Sequence, residues 1–332
     1  MSILNTISSI IRSIIVGFVL IMGFFLLMAC TPEKPEPPPA TATVTVTVTI
    51  SITTEVPASQ TSTNEPSSTD ESTPTLIPSV TPEPIDEAVP AEPQRIEFEA
   101  EDGTVLIGTY YPPAKSSAPL VIMMHWARGD QTDWVEIAQW LQNWVDEYPE
   151  EERPSETSVL SMLLPMPKEL SYAVFTFDFR GFGESTKSGT SGSPEGWLMD
   201  AVAAVNTAKN LSGVNVPKYI NIGASIGADG AVDACDDGCN GALSISPGSY
   251  LGVNYSDAVT RLESLNPDAL AWCLASEADA ASFEACQAAE GVNYIWFIYP
   301  GNSHGMDLFQ PGSEPDIAKV LQDFIFFSFG ID

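Results

Sequence analysis

KYINIGASIGADGA, residues 218–231, sets one serine between two glycines at the end of an apolar run. Residues 219–223 read as a short buried strand, and residues 225–234 read as a helix. A strand that turns directly into a helix brings backbone close on both sides of the corner, where a Cβ would clash. Gly223 and Gly227 meet that demand, and Ser225 between them is pushed outward. A tight turn that happens to contain serine has the same letters. The pentapeptide therefore takes its meaning from the strand–turn–helix setting.

Working outward, the same rhythm repeats. Residues 95–113, RIEFEAEDGTVLIGTYYPP, read as two strands joined at Asp102-Gly103, a hairpin signal. PLVIMMHW (119–126) and YAVFTFDFRG (172–181) are buried strands, followed by the helical stretches 133–144 and 194–211. ALSISPG (242–248), ALAWCLAS (269–276) and YIWFIYPG (294–301) are further strands, with helices over 256–265 and 316–330. This alternation predicts an α/β protein: a mostly parallel eight-stranded sheet with helices on both faces and an antiparallel N-terminal hairpin. Residues 147–170 form an insertion expected to overhang the site. The short connection between residues 248 and 269 leaves no room for a large lid.

A hydroxyl is a weak nucleophile without a base, and the chain has only two histidines. His304 follows the last strand on a glycine-rich loop. His125 ends the third strand, ahead of the serine, so in the order Ser…acid…His only His304 is available as base. The acid that orients it is expected after the penultimate strand, in SEADAAS: Asp279, with Glu277 as understudy. Asp279 also suits a helix N-cap. The oxyanion hole needs two N–H donors. Ile226, next to the nucleophile, supplies one, and the loop after MMHWARGD supplies the other, at Ala127 beside Trp126. His125 then shapes this loop.

The elbow GASIGA, DFRGFGES (178–185), SEAD and NSHG together resemble the α/β-hydrolase superfamily. The hairpin start and SPGSYLGV are similar to its dienelactone-hydrolase-like and serine-aminopeptidase-like branches. The resemblance implies a Ser225–Asp279–His304 triad and an acyl-enzyme. It also implies that Asp178 and Arg180 brace the sheet end, while Asp229 complements the helix dipole. Trp126 stands where a glycine is usual, which narrows the hole or adds a substrate-binding wall. Dienelactone hydrolases use a cysteine nucleophile; serine stands here, so their substrate is not implied. The expected activity is a carboxylesterase on a small neutral ester. A peptidase or acyltransferase of the same fold, or a non-catalytic binding module, are the alternatives. No metal or organic cofactor is implied.

The rest of the chain concerns address. Residues 1–29 read as a signal segment ending in Leu27-Met28-Ala29-Cys30, which resembles the bacterial lipobox and makes Cys30 the lipid attachment site. The alternative is a plain N-terminal membrane anchor. Residues 30–94 are rich in Thr, Ser, Pro and Glu and read as a disordered stalk, with a strand-like period over 41–53. Fully extended, some sixty residues would reach about 200 Å at about 3.3 Å each. The hydrolase-like domain then spans residues 95–332, outside the cytoplasm and tethered to the membrane. The net charge of −31 argues against nucleic acid as a partner. Setting Cys30 aside leaves four cysteines, which allow three pairings. Cys235 with Cys239 and Cys273 with Cys286 is the first expectation, four packed thiols the other. No histidine lies near them in sequence, so zinc is not expected.

Overall fold

The computed structural model describes residues 92–144, 159–186 and 192–331. The signal segment, Cys30 and the stalk as far as residue 91 lie outside the described residues, and the stalk's expected last residue, Gln94, already belongs to the first strand. Eight strands form one sheet: β1 (Gln94–Glu99), β2 (Val105–Tyr111), β3 (Ala118–Met124), β4 (Ala173–Phe177), β5 (Val214–Ala224), β6 (Cys239–Ile245), β7 (Leu270–Ser276) and β8 (Tyr294–Tyr299). Their order is β1-β2-β4-β3-β5-β6-β7-β8. β1 pairs with β2 and β2 with β4 in antiparallel fashion; every later pairing is parallel. The expected α/β architecture is therefore present, hairpin included.

Among the described residues six helices cover it: α1 (Val135–Gln142), α2 (Pro194–Ala208), α3 (Ile226–Asp233), α4 (Tyr255–Leu265), α5 (Ala280–Ala288) and α6 (Ile317–Ser328). Strand alternation decides which side chains meet which layer. Along β3, Leu120, Ile122 and Met124 join the core under α2, α3 and α4, while Val121 and Met123 join the core under α1 and α6. Both faces are covered, so the central strands read as continuous apolar runs.

Local chemistry sets the element ends. Asp130 accepts the Thr132 N–H at 2.9 Å and starts a 3₁₀ turn that leads into α1. Ser193 caps α2, with Pro194 at its first position. β5 begins earlier than expected and runs through Pro217. Its pairing with β3 shifts register between Ala118 and Leu120, an irregularity in which a residue lacking an N–H is tolerated.

The described part of the insertion departs from expectation. Residues 145–158 lie outside the described residues. Residues 159–170 pack beside α1, where Leu163 and Met166 are buried and the Leu164 carbonyl accepts the Trp140 indole N–H at 2.9 Å. They precede β4 and so sit at the end of the sheet opposite Ser225. This stretch does not overhang the site, because α1 carries the chain back across the sheet.

Both expected cysteine pairs are joined. Cys235–Cys239 have Cα atoms 5.3 Å apart, and Cys273–Cys286 have them 5.6 Å apart.

Candidate active site

Ser225 is the residue that ends β5 and starts α3. Its backbone has φ 53° and ψ −115°, and its side chain makes no capping bond to its own helix. That conformation is sparsely populated for a residue with a Cβ and costs about 1–3 kcal/mol. The glycines explain how the corner closes: a Cβ at Gly223 would drive into the Gly227 carbonyl, and one at Gly227 into the Met124 carbonyl. The elbow is thus pressed against the end of β3, immediately before the loop that carries Trp126 and Ala127.

The hydroxyl so placed faces an imidazole. Ser225 Oγ lies 2.8 Å from His304 Nε2, and His304 Nδ1 lies 2.7 Å from Asp279 Oδ2. Asp279 sits at the start of α5 but does not cap it through its side chain; the carboxylate turns to the histidine instead. Glu277 is exposed. With Nδ1–H donating to the carboxylate, Nε2 carries a lone pair toward the hydroxyl. This arrangement can take the hydroxyl proton and hold the resulting imidazolium.

Backbone donors adjoin it. Ile226 is the first residue of α3, where N–H groups have no intrahelical acceptor and the dipole is positive. Neither its N–H nor that of Ala127 meets an acceptor among the described residues. The Trp126 carbonyl accepts the Gly129 N–H at 3.2 Å, which makes a tight turn with Ala127 inside it.

His125 is fully buried beneath this turn. Its Nε2 accepts the Phe179 N–H at 3.0 Å, so Nδ1 carries the hydrogen and donates to the Trp126 carbonyl at 2.7 Å. Burial pushes its pKa down, keeping the ring neutral. It scaffolds the loop, as expected.

Trp126, expected as a substrate wall, is packed closely among its neighbours. The indole is 9% exposed, donates to Asp133 Oδ2 at 2.8 Å, and lies under the Arg128 guanidinium, 4.3 Å from the ring centre. Its edge meets Gly305, where a Cβ would come within 2.6 Å of the ring. Arg128 in turn pairs with Asp307 at 2.8 Å. The large side chain braces the His304 loop against the 126–129 turn.

Asp178 and Arg180 brace the sheet end as expected. Asp178 accepts from the Gln131 backbone and side chain and from the Glu184 N–H, each at 2.9 Å. Arg180 is buried and grips Asp200 and Asp102, at 2.7 and 2.6 Å. Asp229 lies in the first turn of α3, as a partner of the helix dipole would, and has a second role. Its carboxylate is buried and accepts the N–H groups of Gly248 and Tyr250, in the loop after β6.

No family model matches the chain. Its sequence is similar to an uncharacterized protein, YfhR of Escherichia coli strain K12, with 29% identity over 153 residues, 45% of this chain and 44% of that protein. YfhR of Salmonella typhi is 27% identical over 168 residues, 49% of this chain and 47% of that protein. The match thus spans under half the length of these curated relatives. Among solved structures, the α/β hydrolase GrgF from Penicillium sp. sh18 superposes with a TM-score of 0.52 at 15% identity, covering 72% of this chain and 100% of that one. DcsB, in complex with its substrate analogue, gives a TM-score of 0.50 at 14% identity, covering 70% and 98%. This chain has the α/β-hydrolase fold.

In an α/β-hydrolase the ligand crevice lies at the carboxyl ends of the parallel strands. Ser225 follows β5, Asp279 follows β7 and His304 follows β8, all at that end. Two residues set against the histidine loop escaped the sequence reading: Ser246 and Tyr250. The run Ser246-Pro247-Gly248-Ser249 carried a visible turn signal, but nothing in it tells which residues the turn will face.

Proposed function

We propose that the protein is a serine hydrolase that cleaves ester bonds through an acyl-enzyme, with Ser225, His304 and Asp279 as its triad. The observation that carries this reading is the unbroken contact chain from Ser225 Oγ through His304 to Asp279, at 2.8 and 2.7 Å. Ser225 attacks the carbonyl carbon while His304 Nε2 takes its proton. The N–H groups of Ile226 and Ala127 receive the oxyanion. The tetrahedral species then collapses, and His304 returns the proton to the departing alcohol. Water repeats the sequence on the acyl-enzyme and regenerates the hydroxyl.

The substrate class is a small neutral ester, because an acidic chain repels anions. Peptidase and acyltransferase activities share every step except the leaving group or the acceptor. A lipid on Cys30 would hold the domain outside the cytoplasm at the membrane surface.

A fluorophosphonate probe tests the reading, since it labels only an activated serine. Wild type should label and Ser225→Ala should not. Unlabelled folded wild type would favour a binding module instead. A panel of p-nitrophenyl esters against aminoacyl anilides then separates esterase from peptidase.

A further inference from the structure

The loop leaving β6 reverses direction through two left-handed residues, Ser246 at φ 57° and Ser249 at φ 59°. Its path brings two groups onto the histidine loop. Ser246 Oγ accepts the Gly305 N–H at 2.9 Å. Tyr250 sets its ring edge-on to the His304 imidazole, with centroids 6.3 Å apart and planes at 81°. The same phenol lies beside Ser282 of α5 and in the field of Asp279.

What fixes this path is Asp229. Its carboxylate gathers the Gly248 N–H, at 3.2 Å, and the Tyr250 N–H. Gly248 carries no side chain because the tyrosine ring folds over that spot: a Cβ there would stand 2.5 Å from Oη. Asp229 belongs to α3, the helix that begins at Ser225. One rigid element therefore carries the hydroxyl and also seats the ring that touches the imidazole.

We propose that Tyr250, seated by Asp229, is a positioning residue for His304; the proposal rests on the triad reading above. The ring takes no part in bond making. It limits the swing of the imidazole, so that Nε2 stays on Ser225 Oγ while Nδ1 stays on Asp279. Displacing such a group by about 1 Å costs about 100-fold in rate. A substrate-pocket wall would act differently, because its loss raises KM and leaves kcat in place.

The test compares Tyr250→Ala, Tyr250→Phe, Asp229→Asn and the Asp229→Asn/Tyr250→Ala double variant on p-nitrophenyl acetate. Tyr250→Ala should lower kcat by about 10- to 100-fold with little change in KM. Tyr250→Phe, which keeps the ring, should recover most of the loss. Asp229→Asn should also lower kcat, and its effect should largely disappear once Tyr250 is alanine, because both act through one contact. A second readout needs no turnover: the downfield Nδ1–H proton resonance of His304, assigned by its loss in His304→Ala. Tyr250→Ala should shift or broaden it. If that resonance and kcat both stay at wild-type values in Tyr250→Ala, or if only KM moves, the proposal is overturned. Should wild type neither label nor turn over while Tyr250→Ala still disturbs the resonance, the enzyme reading fails and the positioning role stands.

Discussion

The backbone N–H of Ser225 donates to the carbonyl of Ile245 at 2.8 Å, tying a residue of unfavourable backbone geometry to the neighbouring strand. The parallel pairing of β5 with β6 delivers that carbonyl, so the sheet itself holds the elbow open. Ser225→Ala keeps the same φ and should melt near wild type, while turnover falls by up to about 10⁶-fold. Ser225→Gly removes the Cβ that makes φ 53° costly and should be the more stable variant, by about 1 kcal/mol. Calorimetry and an ester assay on the two variants separate strain from chemistry.

Gly227 leaves no such choice. A methyl there meets the Met124 and His125 carbonyls, which are backbone and cannot step aside. Gly227→Ala should cost about 3 kcal/mol or more and disturb the oxyanion loop as well. Chemical denaturation and probe labelling should therefore fall together. Wild-type stability in this variant would mean that the elbow does not abut β3.

Asp279 and Glu277 lie two residues apart, and only one reaches His304. Asp279→Asn should lower kcat by about 10⁴-fold, because the amide favours the wrong tautomer of the imidazole. Glu277→Gln should leave kcat within about 2-fold. The reverse ranking in steady-state kinetics would move the acid to Glu277.

Two carboxyls buried on α3 set a pH dependence of stability. Burial pushes Asp229 up to about 7, and burial together with the Asp229 charge pushes Asp233 up to about 8. In the unfolded chain each titrates near 4, as aspartate does at about 3.9. The folded state thus holds extra protons between these values. Stability is full below about pH 4 as far as this pair is concerned, and falls as pH rises through about 8. Asp102 acts in the opposite sense and elsewhere: its hydrogen bond from Arg180 holds its pKa well below the usual range, so its contribution is lost only on acidification below about pH 4. Unfolding midpoints should be higher at about pH 5 than at about pH 8. Asp233→Asn should flatten that difference.

Asp200 is fully buried against Arg180. Asp200→Ala takes from the buried guanidinium its fully buried carboxylate partner and should cost about 3–5 kcal/mol. Replacing both partners with apolar residues should cost less. Urea denaturation of the single and double variants measures the gap.

Ser225, His304 and Asp279 were readable as a set because each rests on short-range demands. Gly223 and Gly227 are forced by backbone contact, the strands by apolar runs, and His304 by the lack of a second histidine downstream of the serine. Trp126, Asp229 and Tyr250 were not readable, since each depends on which distant segment packs beside it. Trp126 shows a bulky side chain where sequence suggests a pocket wall; only the approach of Gly305 turns it into a brace. Asp229 sits one turn past the serine, where a dipole partner is the natural expectation. Its acceptor role appears only when the loop after β6 folds across it. Residues 159–170 follow the same rule: a span before β4 carries no sign of which sheet end it will occupy.

The Cys273–Cys286 bridge joins β7 to α5, and Asp279 lies on the stretch of chain that it encloses. The carboxylate therefore rides on a covalent ring, fastened at both margins. Fraying of α5 from its far end would halt at the crosslink before reaching the acid. Reductant would then slacken the orientation of the imidazole while leaving the elbow and its hydroxyl as they were.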